Sequence, residues 1–79
     1  MKEKLSLQEL KDACNLGQKI REDSWHESTD HSRHSHYTKT IEESAKEAVK
    51  ELDISPEWGQ LIYILNLQAW NDIQEVQIP

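Results

Sequence analysis

Histidine is the residue type whose clustering first suggests chemistry in this chain. All four histidines lie between positions 26 and 36, and two carboxylates stand among them. Neutral imidazole is a common ligand of zinc and nickel, and two or three imidazoles with one carboxylate complete a site. The candidate ligands are His31, His34 and His36, which would make this segment a metal-binding or metal-responsive module.

The spacing of these histidines leaves other interpretations open. His34 and His36 share a side only if the backbone is extended, whereas His31 and His34 share one only on a helical turn. The spacing matches neither a zinc finger nor an H-E-x-x-H pattern. A solvated polar loop is the plainer interpretation. A pH response is the third, since protonating four histidines would add four positive charges to a formal charge of −6.

Serine, histidine and aspartate are frequent in residues 24–39, but their presence does not predict a catalytic triad. A triad requires a rigid scaffold that holds nucleophile, base and carboxylate within hydrogen-bond reach. A polar loop on a small domain offers no such scaffold, so we expect neither enzymatic activity nor a cofactor. Cys14 lies on an apolar helix face and is expected to be a buried small side chain rather than a reactive thiol.

The net charge of the chain restricts the class of partner. Fifteen acidic and nine basic residues among 79 argue against direct binding of nucleic acid. The same balance suits a basic protein partner, including one that itself binds nucleic acid. A single cysteine is typical of a reducing compartment, and we recognise neither a secretory leader nor a run of ~18–20 apolar residues. We expect a cytoplasmic protein that makes no membrane contact.

The apolar pattern predicts an all-α fold, a single three-helix domain spanning residues 1–79 with a long His/Ser-rich loop between helices 1 and 2. The predicted segments are helix 1 at about 6–23, the loop at 24–39, helix 2 at about 40–52 and helix 3 at about 56–75.

Capping residues mark the three predicted helix starts. Ser6 with Glu9, and Thr40 with Glu43, have the spacing of a capping box. Ser55 suits the N-cap of helix 3, because the proline that follows it is favoured at a first helical position.

Helices 1 and 2 each show one apolar face at three- and four-residue spacing. The faces comprise Leu7, Leu10, Ala13, Cys14, Gly17 and Ile20 on helix 1, and Ile41, Ala45, Ala48, Val49 and Leu52 on helix 2. Gly17 either lets another helix approach closely or is a local weak point, and the pattern does not choose between these.

Helix 3 contains residues 58–71, which carry no formal charge. One predicted face packs against the other helices and comprises Trp58, Leu61, Ile62, Leu65, Ala69 and Ile73. A second side, which two short helices cannot enclose, comprises Tyr63, Leu67 and Trp70. We expect a partner protein or a second copy to cover it, because Trp and Tyr often dominate binding energy. Alternatively, Trp25 and Tyr37 fold back onto Tyr63 and Trp70, or residues 61–67 form a β-strand.

These features predict a non-catalytic protein-interaction domain that binds a partner protein, or itself as a homo-oligomer, through helix 3. Its size and charge suggest a small acidic adaptor or inhibitor of the accessory kind that phages and mobile elements carry. The expected partner-binding residues are three apolar anchors and three glutamates that steer association: Tyr63, Leu67, Trp70, Glu43, Glu47 and Glu51. The alternative function is the metal module of the His-rich loop.

Overall fold

The computed structural model describes residues 1–26 and 36–77, and side-chain burial is defined up to Asn71. The elements are α1 (Leu7–Asp23), β1 (Trp25–His26), β2 (His36–Tyr37), α2 (Ile41–Leu52) and α3 (Trp58–Gln77). The three predicted helices are confirmed, and the domain is mostly helical. The all-α prediction is too simple, because β1 and β2 pair antiparallel at the two ends of the segment that was expected to be only a loop.

Local capping fixes the helix starts. The Ser6 hydroxyl accepts a hydrogen bond from the Glu9 backbone N–H, and the Glu9 carboxylate accepts one from the Ser6 N–H, both at 3.1 Å. This reciprocal pair confirms the predicted capping box. The Thr40 hydroxyl likewise accepts from the Glu43 N–H at 3.0 Å. Helix α3 begins at Trp58, two residues later than predicted, because residues 56 and 57 form a turn.

The ends of the first two helices are shaped by hydrogen bonds and by backbone geometry. Ser24 closes α1, with its N–H donating to the Arg21 carbonyl at 3.0 Å. Asp53 closes α2 in the left-handed region, at φ 50°. That conformation is unfavourable for most residues that carry a Cβ, although Asp tolerates it better than most. It turns the chain sharply into the connection to α3.

The N-terminal segment is tied to the connection between α2 and α3. Lys2 forms a parallel bridge with Ile54: its N–H donates to the Asp53 carbonyl at 3.1 Å, and its carbonyl accepts from Ser55 at 2.7 Å. The Trp58 indole N–H donates to the Glu3 carbonyl at 2.8 Å. These bonds hold residues 1–5 across the start of α3.

The core is built mainly from small side chains, which let the helices approach closely. Its buried members are Ala13, Ala45, Val49, Ile54 and Ile62, with Leu5, Leu10, Cys14, Trp58 and Tyr63 packed against them. Gly17 lies where the three helices meet: a Cβ built there would be 2.9 Å from the Asn66 amide nitrogen and 3.8 Å from the Ser44 carbonyl oxygen. Gly17 therefore permits a close approach between helices, which decides the alternative that the sequence left open.

Helix α3 is rotated relative to the prediction. Leu61 and Leu65, expected in the core, are 37% and 41% exposed. Ile62 is buried as predicted, and Gly59 and Asn66 complete the buried centre of the helix. Asn66 is 2% exposed because its amide donates to the Cys14 carbonyl at 3.2 Å. Its carbonyl also accepts from the Gln18 side chain at 3.3 Å. A hydrophobic pattern assigns Asn to the exposed side of a helix. Because Asn66 is buried instead, the inner face of α3 differs from the predicted one.

Three further expectations are corrected or settled by the helices. Residues 61–67 are helical, so the β-strand alternative is wrong. Leu7 and Leu52, predicted on the inner faces of their helices, are 70% and 42% exposed because both stand at helix ends beyond the core. Among the described residues, no helix combines the length and the apolar character needed to cross a membrane.

Candidate interaction surface

An apolar stripe on α3 is the most distinctive exposed feature of the described chain. It consists of Leu61, Ile64 and Leu65, which are 37%, 49% and 41% exposed. We call these three residues the α3 stripe. Their i, i+3, i+4 spacing forms one continuous row on a helix, the arrangement with which helices pack against other helices. The exposed α3 residues beside the row are Gln60, Gln68 and Asn71, so α3 itself places no formal charge next to the row.

A shallow cleft between α1 and α3 extends this surface. Leu7, Leu10, Cys14 and Leu65 provide its apolar lining, with Lys11 and Asn15 also present, and its volume is about 360 Å³. Burial raises the pKa of the Cys14 thiol, which favours the protonated form and agrees with its predicted role as a small apolar side chain. The stripe and the cleft together form a surface that spans two helices.

The three predicted apolar anchors lie on the side of α3 that turns toward the rest of the domain. Tyr63 and Leu67 are half-buried and line a shallow cleft of about 320 Å³ beside Arg21 and Ile41. Tyr63 also packs against the core. Trp70 is half-buried as well, and its ring lies 5.3 Å from that of Tyr37. The chain itself already covers much of the surface of these three side chains. Their role in binding a partner stays a prediction.

An aromatic cluster joins the β-ladder to α3. The Trp25 and Tyr37 rings are 4.8 Å apart, edge to face, and Tyr37 makes the same kind of contact with Trp70. The guanidinium of Arg21 lies 4.2 Å from the centre of the Tyr37 ring and 4.6 Å from that of Trp70. Its Nε donates to the Lys39 carbonyl at 3.2 Å. Tyr37 and Arg21 thus cover part of the Trp70 ring. The contact between Tyr37 and Trp70 is the part of the fold-back alternative that is present.

Sequence reasoning missed Arg21, the residue that holds this cluster together. The available signals were its place in the last turn of α1 and the two aromatic residues at the ends of the following polar segment. An arginine there can hydrogen-bond carbonyl groups and lie over aromatic rings at the same time.

The three predicted glutamates lie along α2, but lysines alternate with them. Glu47 pairs with Lys39 at 2.5 Å, and Glu43 accepts a hydrogen bond from the Thr40 hydroxyl at 3.2 Å. Glu51 is exposed. A broad cleft of about 740 Å³ is lined by both signs of charge: Glu43, Lys46, Glu47 and Lys50, with Val49, Pro56 and Gly59. Glu42 and Lys46, four positions apart, form an ion pair at 3.3 Å.

The predicted metal ligands are only partly within the described residues. His31 and His34 lie outside them, and His36 lies in β2 opposite His26, with ring centres 5.7 Å apart. Within residues 1–26 and 36–77 there is no group of three or more His, Cys, Asp or Glu side chains placed to hold a metal ion. The triad of His31, His34 and His36 therefore stays a prediction.

Comparison of the chain with protein-family models, with curated proteins and with solved structures finds no match.

Proposed function

We propose that this chain is a non-catalytic protein-interaction domain that self-associates through the α3 stripe and acts as a small acidic adaptor or inhibitor. One observation carries the proposal: Leu61, Ile64 and Leu65 form an exposed apolar row in the middle of a helix segment without formal charge. Contiguous apolar surface of this kind is typical of protein–protein contacts, whereas single exposed apolar residues are ordinary.

The charge distribution favours a second copy of the chain as the occupant. Each copy carries a formal charge of −6, so two copies repel one another over most of their surface. Residues 58–71 are uncharged, so a contact through the α3 stripe does not place like charges directly opposite one another. A two-fold interface must be complementary to itself, and a neutral apolar row flanked by amide side chains meets that condition.

The exposed area sets the expected strength of this contact. Each member of the stripe is roughly half exposed, so burying it contributes about 1 kcal/mol. Six such side chains, with Leu7 of each copy at the edge, give roughly 8 kcal/mol, against an association cost of at least ~4 kcal/mol. The difference is at most about 4 kcal/mol, so we propose a weak and reversible dimer with a dissociation constant of roughly 1 mM.

The acidic surface supports the second part of the proposal, a basic protein partner. The negative net charge attracts a positively charged protein at long range, and Glu43 and Glu51 of α2 are exposed. Reversing the charge of Glu43, Glu47 and Glu51 should then slow association and reduce its salt dependence. An unchanged rate would mean that these glutamates are only solvated surface.

A matched pair of substitutions tests self-association. Leu65 and Leu52 are the same residue type and are 41% and 42% exposed, but only Leu65 belongs to the stripe. Leu65→Glu should abolish the dimer that the wild type forms in sedimentation equilibrium at about 2 mM, twice the expected dissociation constant, while Leu52→Glu should leave the dimer intact. A monomeric wild type at that concentration, or equal effects of both substitutions, would contradict the proposal. Circular dichroism verifies that both variants retain their helices.

A further inference from the structure

His26 and His36 are the two histidines that the β-ladder places opposite one another. The antiparallel register pairs Trp25 with Tyr37 and His26 with His36. Directly opposed residues in such a pair have Cβ atoms ~4.5–5.5 Å apart, so their side chains extend from the same face of the ladder. The two imidazole rings lie 5.7 Å apart, at an angle of 63°.

The two faces of this ladder have different surroundings. Successive strand residues point to opposite faces. The Trp25–Tyr37 pair faces α3, because Tyr37 contacts Trp70 and Arg21. The histidine pair therefore faces away from α3, and both histidines are exposed. An ion in solution reaches this face without any change in the helical part of the domain.

The separation of the rings suits a shared metal ion. An ion held at ~2.1 Å by one nitrogen from each ring places the ring centres roughly 4.5–5.2 Å apart for angles of ~90–109° at the metal. The observed 5.7 Å exceeds that range by about half an ångström. Histidine χ2 is a broad torsion, so rotation of the exposed His26 ring is sufficient to close a difference of this size.

We propose that His26 and His36 form a two-imidazole site for a first-row transition-metal ion, with water completing the coordination. Imidazole selects Cu²⁺, Ni²⁺ and Zn²⁺ over hard cations, and affinity should follow the order in which Cu²⁺ exceeds both Ni²⁺ and Zn²⁺. The site differs from the triad predicted from the sequence, because it is defined by strand register and includes His26.

Metal binding at this site ties β1 to β2. The same ladder carries Tyr37, which covers Trp70, so the ion should stabilise the aromatic cluster on the opposite face. Ligands that bind only the folded state stabilise it by mass action. The site is separate from the α3 stripe, so the dimer mass should not depend on the metal.

Titration calorimetry with Zn²⁺ and with Cu²⁺ on the full chain tests the site. His26→Gln and His36→Gln should each weaken binding at least tenfold, whereas the control His31→Gln/His34→Gln should weaken it less than threefold. Zn²⁺ should also raise the melting temperature of the wild type and not that of His26→Gln. Absence of binding at millimolar Zn²⁺ and Cu²⁺ would overturn the proposal. The proposal would also be overturned if His31→Gln/His34→Gln bound metal as weakly as His26→Gln, because His31 and His34 would then hold the metal.

Discussion

Replacing Gly17 with alanine tests whether the close contact between helices limits the stability of the domain. Helix propensity alone predicts that this change stabilises the protein by ~1 kcal/mol. The tertiary contact predicts the opposite. The new Cβ would stand 2.9 Å from the Asn66 amide nitrogen, a distance that a carbon and a nitrogen do not tolerate without a shift.

The cost can be worked out from the contacts of Asn66. Its side chain is buried and held by hydrogen bonds to the Cys14 carbonyl and the Gln18 amide. Moving it leaves buried polar groups poorly paired, which costs ~1–3 kcal/mol, and overpacking adds ~1–3 kcal/mol. After subtraction of the propensity gain, Gly17→Ala should lower the free energy of unfolding by about 1–5 kcal/mol. In a domain with a total stability of ~5–10 kcal/mol, this loss is large.

Urea unfolding monitored by circular dichroism measures the effect, and Gly59→Ala is the matched control. A Cβ at position 59 would meet the Val49 side chain at 3.6 Å, an ordinary van der Waals distance. Gly59→Ala should therefore stabilise the domain by up to ~1 kcal/mol. If Gly17→Ala were also stabilising, the contact between α1 and Asn66 would not be tight. A smaller effect of Gly17→Ala in an Asn66→Ala background would identify Asn66 as the source of the strain.

Three further predictions concern a cap, a cation and a carboxylate. Because φ at Asp53 is 50°, Asp53→Gly should stabilise the domain by ~0.5–1 kcal/mol, and Asp53→Ala should destabilise it by a similar amount. The urea midpoints of unfolding measure both effects. Equal midpoints for the two variants would contradict a left-handed conformation at this position. Arg21→Lys should destabilise the domain by about 1–2 kcal/mol, because lysine cannot both lie over two rings and donate to the Lys39 carbonyl. The substitution should also speed hydrogen exchange at the Thr38 amide. An unchanged exchange rate would mean that Arg21 does not support the β-ladder. The Lys2 side chain, with the Ser6 N–H, holds the pKa of the Glu9 carboxyl below its usual value. Glu9 therefore contributes stability above its unfolded-state pKa that is lost as the pH falls through the lower folded value. Glu9→Gln should flatten the acid limb of a stability–pH curve, and an unchanged limb would contradict this.

Local signals in the sequence were sufficient for the helix starts. The capping box of Ser6 and the side-chain cap of Thr40 each depend on a residue three positions further along the chain, so neighbours in the chain supply these contacts. The break between α2 and α3 was also predictable, although the helix begins at Trp58 rather than at the proline. These features require no knowledge of what the helices pack against.

The orientation of α3 could not be obtained in the same way. Its burial is centred on Asn66, whose partners Cys14 and Gln18 lie about fifty positions away in the chain. Hydrophobic periodicity weights leucine over asparagine, so it placed Leu61 and Leu65 inside. A buried amide is favourable only when its hydrogen-bond partners are already positioned, and their positions depend on the close approach at Gly17.

The β-ladder was missed for a different reason. Strands of two residues are too short to show a period, and the polar residues between them favour turns. The aromatic residues at the two ends of the segment were the usable signal, because Trp25 and Tyr37 pair across the ladder. The fold-back alternative rests on that signal.

The most direct test of self-association through the α3 stripe is an NMR dilution series of amide shifts. Between about 1 mM and 20 µM, the proposed weak dimer should dissociate. Shift changes should be largest at Leu61, Ile64 and Leu65 and around Leu7, with Leu67 and Trp70 little affected. Shifts independent of concentration would contradict self-association, and changes that are largest at Leu67 and Trp70 instead would show that the opposite side of α3 forms the contact.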